Sequence, residues 1–371
     1  MNGSNKALKI ATPIIIGIAA VATLLIALRR PERREERIYL QQGAIIIEKP
    51  GTRLADVAGA IADPAIFSYD PATRHAQTSA HLHVAGRGTL TIGSDEHGEL
   101  LEFNTNVCGD ASIIVDPAAA FEAINSEIAT VHRTVSAGIC TRGYTIFCDG
   151  RLTARNTKFL YFSGNRSTFY RGDTATGELD NVVIALSDGA SLRMADVDGE
   201  RLSLHNCRFE TAGKYGLYLL GNTRNPVRVE STSLIGAAAD VFLSMGRADL
   251  ELVDCSFSRD RVRFENAKGS VRVKWRAHVR VTDDAGKPVA GAAVLAECKD
   301  EKVTATSDAE GLAVLEVTEY IITANGVRAV TPHSFQVLRG SKVSGESVSV
   351  SVSVSVNGTA SMIGEVKLTK K

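Results

Sequence analysis

The chain lacks an excess of either charge: its 371 residues include 42 Lys plus Arg and 42 Asp plus Glu. A balanced surface gives no electrostatic reason to expect a nucleic-acid partner. Aromatic residues are scarce, at 6%, and Val, Ile, Leu, Ala, Thr, Ser and Gly dominate, which favours β-structure over a helical bundle. Only nine prolines are present, which argues against a disordered chain. The length predicts two folded domains.

Cysteine is also sparse, and its spacing excludes a structural zinc site. The six cysteines form neither a CxxC pair nor a Cys/His cluster of zinc-site spacing. Cys140 and Cys148 are close enough in sequence to form a disulfide. The remaining four are expected to be small buried residues: Cys108, Cys207, Cys255 and Cys298.

One long uncharged run lies near the N-terminus. Residues 10–28, IATPIIIGIAAVATLLIAL, would span roughly 28 Å as a helix, close to the hydrocarbon thickness of a bilayer. They predict a transmembrane anchor between a tail (1–9) and a charged juxtamembrane segment (29–37). A cleaved signal peptide is the alternative, although its apolar core is usually shorter. Five arginines follow the run, and the positive-inside rule then argues for a cytoplasmic C-terminal part.

An internal repeat is the most informative feature of the chain. Five segments share one pattern of apolar, small and Asn-like positions: FEAINSEI (121–128), LTARNTKF (152–159), LSLHNCRF (202–209), VRVESTSL (227–234) and LELVDCSF (250–257); VRVKW (271–275) begins it again. The starts are 31, 50, 25, 23 and 21 residues apart, and the gap of 50 predicts one degenerate coil near residues 179–194. A period-2 strand plus a turn, recurring at this length, is typical of a β-solenoid. Leucine-rich repeats would need a leucine/asparagine frame that is absent.

The repeat predicts where the side chains stack. In a parallel β-helix, each coil lies about 4.8 Å above the last, so equivalent residues form columns. The Asn, Ser or Asp column falls where the strand bends, because these residues tolerate unusual backbone angles. Residues 121–128 also have a helical alternative, with Asp116 as the cap and Pro117 following, but the column match favours a coil. Cys207 and Cys255 share a column with Thr232 between them, so about 9–10 Å separates them and they are predicted to be free buried thiols.

Residues 80–275 resemble the right-handed parallel β-helix proteins of pectin-lyase-like fold, and GRLTARNTKF follows the G-x-L-x-[IV]-x-N-[ST]-x-[IF] form of their surface-anchored members except at Ala154, which takes the place of Ile or Val. We expect this domain to cover residues 38–275. The resemblance is specific for fold and weak for activity. The family includes lyases, hydrolases and epimerases, yet the polygalacturonase set NTD, DD and GHG is absent as a group. No convergent catalytic set is found, so no catalytic residue is predicted.

Residues 276–371 change character. The form strand, DDAGKPVAGAAV, strand, SDAEGLA, strand resembles the prealbumin-like or carboxypeptidase-regulatory-like module, which implies an Ig-like β-sandwich. About seven strands are predicted, near 276–282, 292–297, 303–306, 312–317, 335–338, 347–356 and 364–368. The run SVSVSVSVSV is interpreted as one of them, closed by a hairpin at Asn357-Gly358. The expected fold class is therefore all-β, a β-helix plus a sandwich, preceded by one transmembrane helix.

Two candidate ligand sites are predicted. Asp196, Asp198 and Glu200 in ADVDGERL resemble half of a calcium loop, so calcium is the one cofactor considered; a solvated acidic turn is the alternative. Four tyrosines on neighbouring coils could stack sugars on a shared face, namely Tyr161, Tyr170, Tyr215 and Tyr218.

Together these features predict a single-pass membrane protein, anchored through residues 10–28, with residues 38–371 outside the cytoplasm. The combination of a β-helix and a prealbumin-like module is typical of exported proteins, against the arginine count. The expected role is structural, adhesive or glycan-binding, with a cell-wall or extracellular polysaccharide as partner. The alternative is an enzyme acting on an acidic polysaccharide.

Overall fold

The computed structural model describes residues 37–104, 111–131, 143–161, 163, 169–211, 213–283, 285–331, 333–338 and 363–367. The predicted anchor (10–28), Cys108, Cys140 and the Ser-Val run lie outside these residues and stay predictions. No helix within the described ranges is both long and apolar enough to cross a membrane. The chain divides into Met1–Arg37 and Ile38–Lys371, and every described strand and helix belongs to the second unit.

The elements are almost all strands. The N-terminal ones are β1 (Ile38–Gln41), β2 (Ala44–Ile47), β3 (Thr52–Arg53), α1 (Leu54–Ile61), β4 (Phe67–Asp70) and β5 (His75–Thr78). The coils follow as β6 (His81–Val84), β7 (Thr89–Ile92), β8 (Leu100–Phe103), β9 (Ala111–Val115), β10 (Ala120–Ile124), β11 (Glu127–Thr130), β12 (Tyr144–Cys148), β13 (Arg151–Arg155), β14 (Lys158–Leu160), β15 (Tyr170–Arg171), β16 (Thr176–Asp180), β17 (Val183–Ser187), β18 (Ala190–Ala195), β19 (Leu202–His205), β20 (Arg208–Thr211), β21 (Tyr215–Leu220), β22 (Val227–Glu230), β23 (Ser233–Ile235), β24 (Ala239–Gly246), β25 (Asp249–Val253) and β26 (Val262–Ala267). The C-terminal strands are β27 (Ser270–Thr282), β28 (Ala293–Glu297), β29 (Lys302–Thr306), β30 (Leu312–Thr323), β31 (Gly326–Ala329), β32 (Ser334–Leu338) and β33 (Ile363–Lys367).

The strands from β2 to β27, apart from the antiparallel β4, wind as a parallel β-helix. The first sheet is β1-β2-β6-β9-β12, and the fourth, β15-β18-β21-β24-β26, begins in the coil after β12. The second sheet is β3-β7-β10-β13-β16-β19-β22-β25-β27-β30-β31, with β33 also paired to β27, and the third is β23-β20-β17-β14-β11-β8-β5-β4. Each coil visits the first or fourth sheet, then the second, then the third, and the apolar side chains facing inward form one continuous core. The β-helix prediction is confirmed; its handedness stays a prediction.

The predicted register is confirmed at the repeats. In the second sheet, Phe121 pairs with Leu152, Leu152 with Gly177, and Gly177 with Leu202. The 50-residue gap therefore holds the expected extra coil, β16 and β17, with Gly177 in the first column. Residues 121–128 contribute strands β10 and β11, so the helical alternative is wrong.

The Asn-like column forms a ladder along the bend between the second and third sheets. Its members all adopt left-handed backbone angles, with φ from 49° to 53°: Asn125, Asn156, Asn181, Asn206, Ser231 and Asp254. The Asn156 amide donates to the Asn125 side-chain oxygen at 2.9 Å, and the Asn181 amide donates to Asn156 at 2.8 Å. Each of these amides thereby ties its coil to the preceding one.

The cysteine prediction is confirmed for Cys207 and Cys255, whereas Cys298, also expected to be buried, is partly exposed. Cys207 and Cys255 are free and buried, and the Thr232 hydroxyl between them accepts a hydrogen bond from the Cys207 backbone at 3.1 Å. Burial raises the pKa of both thiols to about 12. Cys148 is likewise free and buried, and burial raises its pKa to about 12.

The N-terminal end of the β-helix contains a helix that the sequence interpretation missed. Helix α1 buries Leu54 and Val57 in the solenoid core. Open solenoid ends need such a cover, because the terminal coil would otherwise expose its apolar interior. The expectation of a purely all-β extramembrane part is therefore corrected by one short helix.

The C-terminal strands enclose a second apolar core. Strand β27 runs parallel to β25 and antiparallel to β30, from Ser270 opposite Thr323 to Arg280 opposite Leu312. Its later half faces the three-stranded antiparallel sheet β29-β28-β32 across this second core, which contains Val279, Val294, Leu315 and Phe335. Six of the predicted strands appear near their expected places, but β27 and β30 extend beyond the predicted 276–282 and 312–317. The predicted boundary at residues 275 and 276 lies within β27.

Ion pairs join β30 to the outer face of the second sheet. The Arg228 guanidinium binds Glu316 through two hydrogen bonds of 2.9 and 2.5 Å, and Lys274 lies 3.1 Å from the same carboxylate. The hydrogen bond from Arg228 lowers the pKa of Glu316 to about 2. The pair of Arg228 and Glu316 links a strand of the C-terminal part to a coil 88 residues earlier in the chain.

Candidate functional site

The fourth sheet presents aromatic and basic side chains on its outer face. Its strands alternate, and every second residue, such as Leu192, Leu217 and Val241, is buried in the solenoid core. The intervening residues face outward and stack in register, as Arg193 on Tyr218, Tyr218 on Phe242, and Phe242 on Arg263. Neighbouring strands are about 4.8 Å apart, so this column places an aromatic pair between two arginines.

Tyr215, Tyr218 and Phe242 form a compact cluster, which we call the aromatic patch. The Tyr215 and Phe242 rings are stacked, with centroids 4.2 Å apart and an interplanar angle of 6°. Tyr218 contacts both, at 5.4 Å from Tyr215 and 5.0 Å from Phe242. Phe242 is buried, with only 8% of its surface exposed, whereas both tyrosines are half-buried. The tyrosines therefore present the surface that a ligand would meet.

Charged groups border the aromatic patch. The Arg193 guanidinium carbon lies 5.1 Å from the Tyr218 ring centroid, a cation–π distance. Lys214 and Glu265 complete the lining of a shallow cleft of about 220 Å³ around the rings. Burial, with Tyr218 and Glu265 nearby, raises the pKa of Tyr215, so its hydroxyl stays protonated at neutral pH. The cleft thus offers ring faces together with hydrogen-bond donors and an acceptor.

Two of the four predicted tyrosines do not belong to this patch. Tyr170 is fully buried, and its hydroxyl donates to the Leu152 carbonyl at 2.9 Å inside the solenoid. Gly177 makes room for it, because a Cβ there would lie 2.6 Å from that hydroxyl. Tyr170 is therefore unable to stack a sugar. Tyr161 follows β14 in the third sheet and does not line the cleft.

The acidic candidates Asp196, Asp198 and Glu200 lie at a corner between the fourth and second sheets. Asp196 accepts a hydrogen bond from the Asn222 backbone at 2.9 Å and lines an open cleft of about 470 Å³. Asp198 caps the 3-10 helix Gly199–Arg201 and accepts from the Asn225 amide at 2.8 Å, the largest cause of its lowered pKa. Across the described ranges, no three His, Cys, Asp or Glu side chains are grouped to hold a metal. The calcium site and the acidic turn both stay predictions.

Several residues of the site were not found from the sequence. Arg193, Lys214, Phe242 and Glu265 have no motif of their own. The signal was available only in the register of the fourth sheet, because SLRMA, LYLL and VFLS place Arg193, Tyr218 and Phe242 in one outward column once the coils are aligned.

Comparison with known proteins adds little. No family model and no curated protein matches the chain. A double mutant of the periplasmic alginate epimerase AlgG matches with 10% identity and a TM-score of 0.26, over 62% of this chain and 71% of that one. Geobacillus virus E2 ORF18 matches with 8% identity and a TM-score of 0.17, over 70% of this chain and 68% of that one. TM-scores this low support neither a shared fold nor a shared function, so the β-helix assignment depends on the strand register of this chain alone. The resemblance of the C-terminal part to a prealbumin-like module stays a prediction.

Proposed function

We propose that this protein is a glycan-binding β-helix protein of the cell envelope and that the aromatic patch is its sugar-binding surface. The supporting observation is the stacked Tyr215–Phe242 pair on the outer face of the fourth sheet, beside a cation–π pair and an exposed carboxylate. Flat rings offer apolar area to the ring faces of sugars, and the charged border can bond their hydroxyl or carboxyl groups. An apolar surface with a few converging polar groups is the usual form of a ligand site.

The rigid scaffold suits this role. The patch is built on two strands of one sheet, β21 and β24, and each strand is fixed by ladder hydrogen bonds to its neighbours. Side chains on strands are held more firmly than those on loops, so little ordering entropy is lost on binding. We further propose that residues 10–28 anchor the protein in a membrane and that residues 38–371 lie outside the cytoplasm, where polysaccharide is available.

Glycan binding is tested by array screening of the purified chain, followed by calorimetry with the best ligand. Tyr215→Ala should weaken binding by about 2- to 13-fold, the equivalent of one aromatic contact of about 0.5–1.5 kcal/mol. Tyr161→Ala, which removes a half-buried tyrosine just after β14 of the third sheet, is the matched control and should bind like the wild type. Equal affinities for all three chains, with unchanged circular dichroism, would refute the assignment. Protease shaving of intact cells tests the topology, since a protected C-terminal part would place it in the cytoplasm.

A further inference from the structure

The outer face of the second sheet holds a serine, a histidine and a glutamate in a row. Ser203 and His205 lie two residues apart on β19, so both point outward, and Ser203 Oγ is 2.7 Å from His205 Nε2. Glu230 on β22 pairs in register with His205, and its Oε2 lies 3.8 Å from His205 Nδ1. One ring nitrogen therefore faces a hydroxyl and the other a carboxylate.

This order matches the roles of a serine, histidine and acid triad, which is recognised by geometry and not by sequence position. In such a triad, one nitrogen of the imidazole contacts the hydroxyl and the other faces the acid. This arrangement fixes the imidazole in the tautomer that can accept the serine proton. The separation of 3.8 Å between Glu230 and His205 is longer than a hydrogen bond. Catalytic contacts are often this loose without substrate and tighten in the complex.

The surroundings keep the acid ionised and the base accessible. Burial alone would raise the pKa of Glu230, but hydrogen bonds from Arg228 and Arg276 outweigh it, and the pKa lies below its ordinary value. The Glu230 side chain is 13% exposed, whereas the His205 side chain is 37% exposed. Solvent and substrate can therefore reach the imidazole while the carboxylate stays screened.

We propose that Ser203, His205 and Glu230 form a catalytic triad that hydrolyses acyl esters. Ser203 Oγ attacks the ester carbonyl carbon, and the serine proton passes to His205 Nε2. The bond from carbon to the alcohol oxygen then breaks, and the departing alcohol takes the proton from Nε2. Water attacks the acyl-serine, gives a proton to Nε2, and the carboxylic acid leaves as Ser203 Oγ recovers that proton.

Glu230 acts as a positioning residue: it orients the imidazole and stabilises its positive charge. Glu178 on β16 pairs in register with Ser203, so an exposed carboxylate flanks the nucleophile on the preceding coil. A negative charge beside the attacked carbonyl disfavours anionic esters. The proposed substrate class is therefore a neutral acyl ester, such as an acetylated hydroxyl.

The test uses a fluorophosphonate probe on the full chain, with the labelled residue located by mass spectrometry, and hydrolysis of p-nitrophenyl acetate as the second readout. The wild type should be labelled at Ser203. Ser203→Ala should abolish labelling, and His205→Gln should slow it by about 10²-fold or more, the usual contribution of a general base. Ser233→Ala, which changes a half-buried serine on the third sheet, should label like the wild type.

Folding is controlled by thermal unfolding of each variant. His205→Gln and Ser203→Ala change half-buried side chains and should melt within a few degrees of the wild type. Glu230→Gln also removes the carboxylate that Arg228 and Arg276 bind, so its labelling rate is divided by the fraction of the variant that is folded. Absence of wild-type labelling, labelling at another serine, or undiminished Ser203 labelling in His205→Gln would overturn the proposal. A failure of the aromatic patch to bind glycans would leave it standing, because the two sites lie on different sheets.

Discussion

The side-chain ladder along the bend of the coils can be tested at Asn156, in the middle of the column. This residue has φ of 50°, donates to Asn125 and accepts from Asn181. It therefore stabilises the fold in two separate ways, since asparagine tolerates the left-handed backbone and its amide links three coils. The substitutions Asn156→Ala and Asn156→Gly separate these contributions. Alanine removes both the links and the backbone tolerance, whereas glycine removes only the links.

The magnitudes follow from the two terms. Net contributions of hydrogen bonds are about 0.5–1.5 kcal/mol each, and these two are exposed, so together they contribute about 1–2 kcal/mol. A left-handed alanine costs roughly 1–2 kcal/mol more than a residue that accepts this conformation. Asn156→Ala should therefore destabilise the protein by about 2–4 kcal/mol. Asn156→Gly should cost roughly 1 kcal/mol less than alanine, even after its greater unfolded-state entropy is included.

Urea unfolding followed by circular dichroism measures both differences at constant m-value. Asn156→Asp is the conservative control, because Asp254 already occupies this column with φ of 52°. It keeps the backbone tolerance and the acceptor but loses the amide donor, so it should lie between the wild type and glycine. If glycine proves as destabilising as alanine, the backbone part of the reasoning is wrong. If neither change lowers stability, the ladder does not hold the coils together.

Three further outcomes are expected. Glu316→Gln should lower the free energy of unfolding by about 1–2 kcal/mol at pH 7, after the shift of the Glu316 pKa from 4.5 to about 2 is discounted for partial exposure. A carboxylate whose pKa is lowered by folding stabilises the protein fully only above its unfolded pKa. In unfolding titrations, the stability difference between wild type and variant should therefore shrink as the pH falls from about 4.5 toward 2. Tyr170→Phe should lose about 1–2 kcal/mol in the same assay, because it leaves the buried Leu152 carbonyl with one partner fewer, and glycan binding should not change. Cys207 and Cys255 should resist iodoacetamide at pH 8 until the chain unfolds, since burial raises both pKa values to about 12; rapid labelling of the folded chain would contradict their placement.

The sequence predicts the β-helix well because successive coils place the same types of residue at equivalent positions. Phe121, Leu152 and Leu202 mark the first column, and the periodicity exposes the hidden coil even though Gly177 interrupts it. The reason for that glycine could not be deduced, because the filling side chain, Tyr170, comes from another strand. For the same reason the sequence alone does not separate the fully buried Tyr170 from the half-buried tyrosines.

The candidate site shows a different limit of sequence reasoning. The side chains that stack on the outer face of a sheet can be identified only when the register of its strands is known. The turns that join the strands of the fourth sheet vary between coils, so the sequence does not show how these strands align. Ser203 and His205 are adjacent outward positions of a repeat that the sequence reveals, yet the acid that completes the row comes from the next coil. Pairing across coils, which is long-range in sequence, decides which polar groups meet.

The C-terminal strands have a role that follows from the end of the solenoid. A last coil would expose its inner column to water, and in this chain Val271 and Val273 occupy that position. Strand β30 lies beside them and places Tyr320 and Ile322 in the same core as the coils. Burial of an isoleucine side chain contributes about 1.5–3 kcal/mol, so these two residues supply a substantial part of the closure.

The two cores share strands β27 and β30. One part of each strand contributes to the solenoid core, and another part contributes to the second core. A cut at the predicted boundary, residue 275, would divide β27 and remove β30, leaving Val271 and Val273 uncovered. The C-terminal part is therefore the cap of the β-helix as well as the site of a second core.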